Sequence, residues 1–204
     1  MKIGSVSASV ALAAAALSVV GACSTSGPPA APEDAGGSDG SFSDATIAGS
    51  YTLTFGPIQV APDYENTQCL VLRLGNPAPI HVGSIHNLLG TSSHHMIVYR
   101  VNDTVEQTTP FNCQPFTDTL DPTKGSAIMV SQKKDDLLTF PPGVAYTLDA
   151  NQMIRIEMHY INATASTTTL QSTTTMTPLP DGDYKYEADF LFIGDPDIRL
   201  PPNA

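Results

Sequence analysis

The 204-residue sequence predicts an all-β fold, an antiparallel β-sandwich of jelly-roll type with about nine strands, carried by residues 49–204. Three observations carry that expectation. Apolar and polar residues alternate with a period of two along most of this stretch. Turn-forming pairs rich in Gly, Pro, Asn and Asp recur at short intervals. No window of helical length shows a clean 3.6-residue period. Many short strands with short connections pack best as two antiparallel layers. A single domain of this length buries a core without staples.

The strands follow in order. Segment 50–59 opens with Tyr51-Thr52-Leu53-Thr54-Phe55 and alternates as far as Gly56-Pro57. Segment 68–74 includes Cys69, Leu70, Val71 and Leu72, and Asn76-Pro77 ends it. Segment 80–89 runs into Leu89-Gly90-Thr91, and segment 94–101 begins with His94-His95. The longest loop, 102–125, contains Cys113 and a turn at Asp121-Pro122. Connections of that length are uncommon in a compact domain unless they are functional or cross-linked. Segment 127–131 is the next strand. The charged run Lys133-Lys134-Asp135-Asp136 then leads into Leu137-Leu138, at most a short turn of helix. Pro141-Pro142-Gly143 precedes segment 144–148, and segments 152–161 and 166–177 follow. Asp181-Gly182-Asp183 separates the last segment, 184–193.

Charge narrows the function classes. Nine Lys and Arg face 20 Asp and Glu, a net charge of −11. Residues 49–204 hold 8 basic and 16 acidic residues, a net −8. No basic run exists, so no nucleic-acid partner is expected; phosphate recognition needs clustered cations. A low charged fraction with abundant Thr suits an extracytoplasmic β protein.

The first 48 residues read as address and tether. Met1-Lys2, an apolar Ala-rich run and Val20-Gly21-Ala22-Cys23 have the order of a signal peptide. A Cys directly after small residues resembles the bacterial lipobox. The resemblance implies a lipoprotein signal peptide over 1–22, lipidation of Cys23 and attachment to a membrane. Ser24, in place of Asp, resembles the pattern of the outer membrane, so the bacterial cell envelope is the expected location. Residues 23–48 are rich in Gly, Ser, Pro and Ala and read as a flexible tether.

Cys69 and Cys113 are the remaining thiols. In an oxidising compartment they can pair, closing a loop of about 44 residues worth roughly 3–4 kcal/mol; the alternative is two buried free thiols. Five histidines, His81, His86, His94, His95 and His159, lie on the strands or their ends. Alternation puts His159 on the more polar face of 152–161, with Met153, Arg155, Glu157 and Ile161. Adjacent His94 and His95 would point to opposite faces of an ideal strand. They can share one metal only where the pleat is broken, at a strand end or bulge. Copper is favoured for an all-imidazole site, with zinc the competitor.

The run Ser92-Ser93-His94-His95-Met96-Ile97-Val98-Tyr99 resembles the His-His-Met strand of the copper type II, ascorbate-dependent monooxygenases. That is the family of the peptidylglycine α-hydroxylating and dopamine β-monooxygenases. Ile154-Arg155-Ile156-Glu157-Met158-His159-Tyr160 resembles its later His-Tyr strand. Leu138-Thr139-Phe140-Pro141-Pro142-Gly143-Val144 is similar to the approach to that strand. Tyr64 to Leu72, with Cys69, resembles an early strand of the same family. The likeness covers its N-terminal domain, about residues 49–202.

It implies a jelly-roll-like sandwich with one copper per chain held by His94, His95 and His159, passing electrons from ascorbate or another one-electron donor. His81 and His86 match no ligand position and read as ordinary strand histidines. The family's second domain, with a His-x-His pair and a Met on a substrate-side copper, has no counterpart after His159. The resemblance therefore implies an oxidoreductase domain without catalytic residues of its own, its second copper site supplied by a partner protein or a missing half. The alternatives are a copper-handling lipoprotein without enzymatic activity, or a structural sandwich whose site has decayed.

Overall fold

The computed structural model describes residues 49–116, 121, 123–191 and 193. The expected signal peptide, Cys23 and the tether lie outside the described residues. The chain is all-β, with eleven strands among those residues: β1 (Tyr51–Val60), β2 (Tyr64–Arg73), β3 (Ile80–Leu88), β4 (Ser93–Val101), β5 (Gln107–Asn112), β6 (Gly125–Ser131), β7 (Asp135–Thr139), β8 (Val144–Leu148), β9 (Met153–Asn162), β10 (Thr168–Pro178) and β11 (Tyr186–Glu187).

Two sheets form the sandwich. One has the order β1-β10-β3-β8-β11, with β7 also paired to β3; the other has the order β5-β2-β9-β4-β6. Strands β1 to β4 alternate between the sheets, as do β8, β9 and β10. The four-strand sets β1-β10-β3-β8 and β2-β9-β4-β6 are the expected jelly roll. All pairings are antiparallel except the short β11–β8 contact, which is parallel.

The alternation in the sequence becomes two cores. Between the sheets, Phe55, Val82, Ile85, Met96, Val98, Leu148, Ile154, Ile156, Met158, Leu170 and Met176 are buried together. Fully burying one such side chain is worth about 1.5–3 kcal/mol, so this layer carries most of the stability. The far face of the second sheet is not simply solvated. Val71, Ile97, Tyr99, Val101, Ala127 and Met153 form a smaller cluster there, with Phe111, Phe116 and Phe190 packed against it.

Three segments differ from the sequence expectation. Part of the long loop is strand β5, which adds to the edge of β2. Its Pro110 is compatible with an edge position, where one side of the strand needs no ladder partner. Leu137-Leu138 belongs to strand β7, not to a helical turn; Leu138 packs on the core and Leu137 points to solvent. The expected last strand shrinks to β11, which pairs with β8 only at Val144 and Ala145. Its N–H groups of Tyr186 and Ala188 reach the carbonyls of Gly143 and Ala145. Leu191 and Ile193 beyond it are exposed.

Candidate metal centre

Strands β4 and β9 lie side by side, and their register places His95 directly opposite His159. Facing residues on one side of an antiparallel pair bring their side chains into contact. The register shifts between Ser93 and His95, so His94 occupies a bulge. The broken pleat lets two adjacent histidines lean to one side. The rings of His94 and His95 stand 4.9 and 4.8 Å, centroid to centroid, from that of His159. The Nδ1 atoms of His94 and His95 are 3.3 Å apart.

Contacts from both sheets hold the bulge in place. Before it, Ser92 takes a positive φ of 67°. The Gly90 N–H donates to Ser172 Oγ on β10, and Ser93 Oγ lies 3.1 Å from the same oxygen. Ser92 Oγ is 2.7 Å from Thr168 Oγ1. The Ser92 carbonyl accepts from the Ile161 N–H, and Lys134 Nζ donates to the Gly90 carbonyl. Strand β10 thus holds the turn that aims His94 and His95.

One donor atom from each of His94, His95 and His159 lies within 4.8 Å of the others, and the three could hold a metal ion. A metal–imidazole bond is about 2.0 Å, so two donors at roughly tetrahedral angles stand about 3.3 Å apart and no more than about 4 Å. The His94–His95 pair already meets that spacing, and a small side-chain rotation closes the rest. His94 is exposed while His95 and His159 are half-buried, so the group opens to solvent on one side. Burial, then the facing rings of His159 and His94, hold His95 below the ordinary imidazole value of 6.5. At neutral pH it therefore keeps a free lone pair, as a metal ligand must. Cys69 and Cys113 form a disulfide, so neither offers a thiolate.

His81 and His86 are engaged elsewhere. His81 stacks on Tyr184 at 3.7 Å, and its Nδ1 is 3.1 Å from Thr147 Oγ1. His86 Nε2 is 2.7 Å from Asp135. Neither belongs to the three-histidine group.

Two carboxylates stand beside the group, and one of them, Glu65, is not evident from the sequence pattern. Glu65 on β2 contacts His159 Nε2 at 2.8 Å. Glu157, two residues before His159 on the same face, is buried and accepts hydrogen bonds from the Tyr99 hydroxyl at 2.7 Å and the Phe116 N–H at 3.2 Å. Burial raises its pKa, and those two hydrogen bonds, with the charges of Arg155 and His159, oppose the rise. Alternation alone placed Glu157 beside His159. The Glu65 contact depends on the β2–β9 register, which pairs Thr67 with His159 and Glu65 with Ile161. No protein-family model matches this chain, and no curated protein matches it.

Proposed function

We propose that His94, His95 and His159 hold one copper ion and that the chain is an electron-relay copper protein of the ascorbate-dependent monooxygenase type, anchored to the bacterial envelope through Cys23. The observation that carries the reading is the bulge that turns two adjacent histidines toward a third on the neighbouring strand. Adjacent surface histidines on a regular strand would diverge. Three imidazoles without a thiolate suit a type II copper centre, and among first-row divalent ions copper is the strongest competitor for imidazole nitrogen. Bound copper would supply one-electron cycling between Cu(II) and Cu(I). The chain's part is to fix three neutral imidazoles in a rigid sheet, leave one side open, and keep the open side accessible to a small reductant. Hydroxylation of a substrate would draw on a second copper site outside the described residues.

Copper titration of the full chain tests this. One copper per chain should bind, with the EPR signature of a type II centre that ascorbate abolishes. His159→Ala, which removes one ligand of three, should weaken binding at least about tenfold. His81→Ala and His86→Ala should leave it unchanged, because stacking on Tyr184 and pairing with Asp135 keep those rings out of the group. Equal losses from all five histidine changes, or unchanged binding in His159→Ala, would sink the assignment. Ascorbate-dependent oxygen consumption, measured with and without candidate partner proteins, separates a relay enzyme from a copper carrier.

A further inference from the structure

The two ring nitrogens of His159 have different surroundings. Nε2 lies 2.8 Å from Glu65 Oε1. The rings of His94 and His95 stand 4.9 and 4.8 Å from that of His159, centroid to centroid, and turn their Nδ1 atoms to each other at 3.3 Å. A carboxylate oxygen only accepts, so the hydrogen of this contact belongs to Nε2. A neutral ring with its hydrogen on Nε2 leaves the Nδ1 lone pair bare. The Nδ1 atom of His159 is then the donor that can complete the set.

We propose that Glu65 is the positioning residue of the metal group. It accepts a hydrogen bond from His159 Nε2–H, fixes the tautomer, and holds Nδ1 toward His94 and His95. The inference rests on reading the three imidazoles as metal ligands. Carboxylate partners of this kind orient a metal-binding imidazole and raise its basicity.

The fold explains why Glu65 performs the task. Thr67 stands directly opposite His159 in the β2–β9 ladder, and Glu65 is the next residue along on the same face. A diagonal neighbour is within reach of a long side chain. The Glu65 side chain is 58% exposed while that of His159 is 20% exposed. The carboxylate thus caps the ring from the solvent side and leaves the buried side chains beneath untouched.

The rival role for Glu65 is that of a fourth ligand, and two variants separate the roles. Glu65→Gln keeps an oxygen that can accept from Nε2–H, but it is uncharged and a poor metal ligand. Glu65→Ala removes the acceptor. An orienting role predicts that Glu65→Ala lowers copper affinity of the full chain about 10- to 100-fold, with Glu65→Gln recovering most of the loss. Equal weakness of both variants would overturn positioning in favour of ligation, and wild-type affinity in Glu65→Ala would remove any role.

A second measurement needs no metal. Long-range proton–nitrogen NMR of the copper-free chain, at a pH where the ring is neutral, reports which nitrogen of His159 carries hydrogen. The wild type should be in the Nε2–H form, and Glu65→Ala should populate both forms. An Nδ1–H ring in the wild type would overturn the proposal. A chain that takes up no copper would refute the metal reading, while the tautomers would still decide the role of Glu65 in orienting the ring. Unchanged circular dichroism and thermal unfolding should show that both variants fold, as expected for an exposed side chain.

Discussion

At position 90 no side chain fits. A Cβ built on Gly90 would lie 2.0 Å from the carbonyl oxygen of Gln171, which belongs to the backbone of β10 and cannot swing aside. The same close approach lets the Gly90 N–H reach Ser172 Oγ. Gly90→Ala should therefore cost about 1–3 kcal/mol, the usual range for overpacking. It should also weaken copper binding, although residue 90 touches no ligand, because it pushes the turn preceding His94 off β10. Thermal unfolding and copper titration of the same variant test both parts. A stable variant with normal affinity would show that the bulge is aimed by β4 and β9 alone. The two histidines were legible as a pair needing a broken pleat, since adjacent residues on a strand diverge. Which contacts break the pleat was not legible, because Thr168, Gln171 and Ser172 are distant in sequence and become neighbours only when the sheets stack.

Among the elements, β5 depends most on a covalent tie. It is an edge strand with one neighbour, β2, and the ladder between them is irregular between Cys69 and Val71. The Cys69–Cys113 disulfide fastens its end across a separation of 44 residues. Just beyond, the Phe116 N–H bonds to buried Glu157 and the Phe116 ring packs on the outer cluster. The bridge thus holds down the cover over the strand face that carries the metal group. Replacing both cysteines by serine should destabilise the chain by roughly 3–4 kcal/mol on the loop-entropy estimate. Amide exchange should rise first across β5 and at Phe116, and little across β9. Uniform loss of protection through both sheets would mean that the bridge supports the whole fold instead of its edge.

The alternating segments with apolar inward faces, such as 94–101 and 152–161, could be read because burial on one face imposes period two. β5 and β7 escaped because neither buries a residue fully, so no apolar face is imposed on them: β5 carries Pro110, and β7 carries Asp135, Asp136 and an exposed Leu137. Glu65 escaped for a different reason. Its face on β2 follows from alternation, but the register that brings it to His159 is a property of the paired strands.

Across the whole molecule, Glu187 on β11 gathers groups from three directions. It accepts from the Thr147 N–H and hydroxyl on β8 and from the Tyr184 hydroxyl, and it lies 3.8 Å from Arg100 on β4 of the other sheet. Partial burial works against its charged form. The Thr147 and Tyr184 hydrogen bonds with the Arg100 charge prevail, holding its pKa below the ordinary glutamate value of 4.5. A carboxylate depressed in the folded state contributes stability that is fully present above the unfolded value and is lost as pH falls through the folded one. The β11 attachment should therefore hold at neutral pH and loosen in acid, as pH falls below the ordinary glutamate value and through the lowered folded one. Because the side chain is 41% exposed, solvent screening keeps the effect local and small. It should appear in the amides of Tyr186 and Ala188, which bond to the carbonyls of Gly143 and Ala145. Their protection, corrected for the intrinsic pH dependence of exchange, should fall in acid ahead of the β9 amides. Glu187→Gln keeps one acceptor oxygen, enough for the Thr147 N–H, and loses the second acceptor and the charge, so it should remove the acid step and leave weaker protection at neutral pH. An acid step that persists in Glu187→Gln would assign the loosening to another carboxylate, with Asp189, 3.5 Å from Arg100, the next to replace.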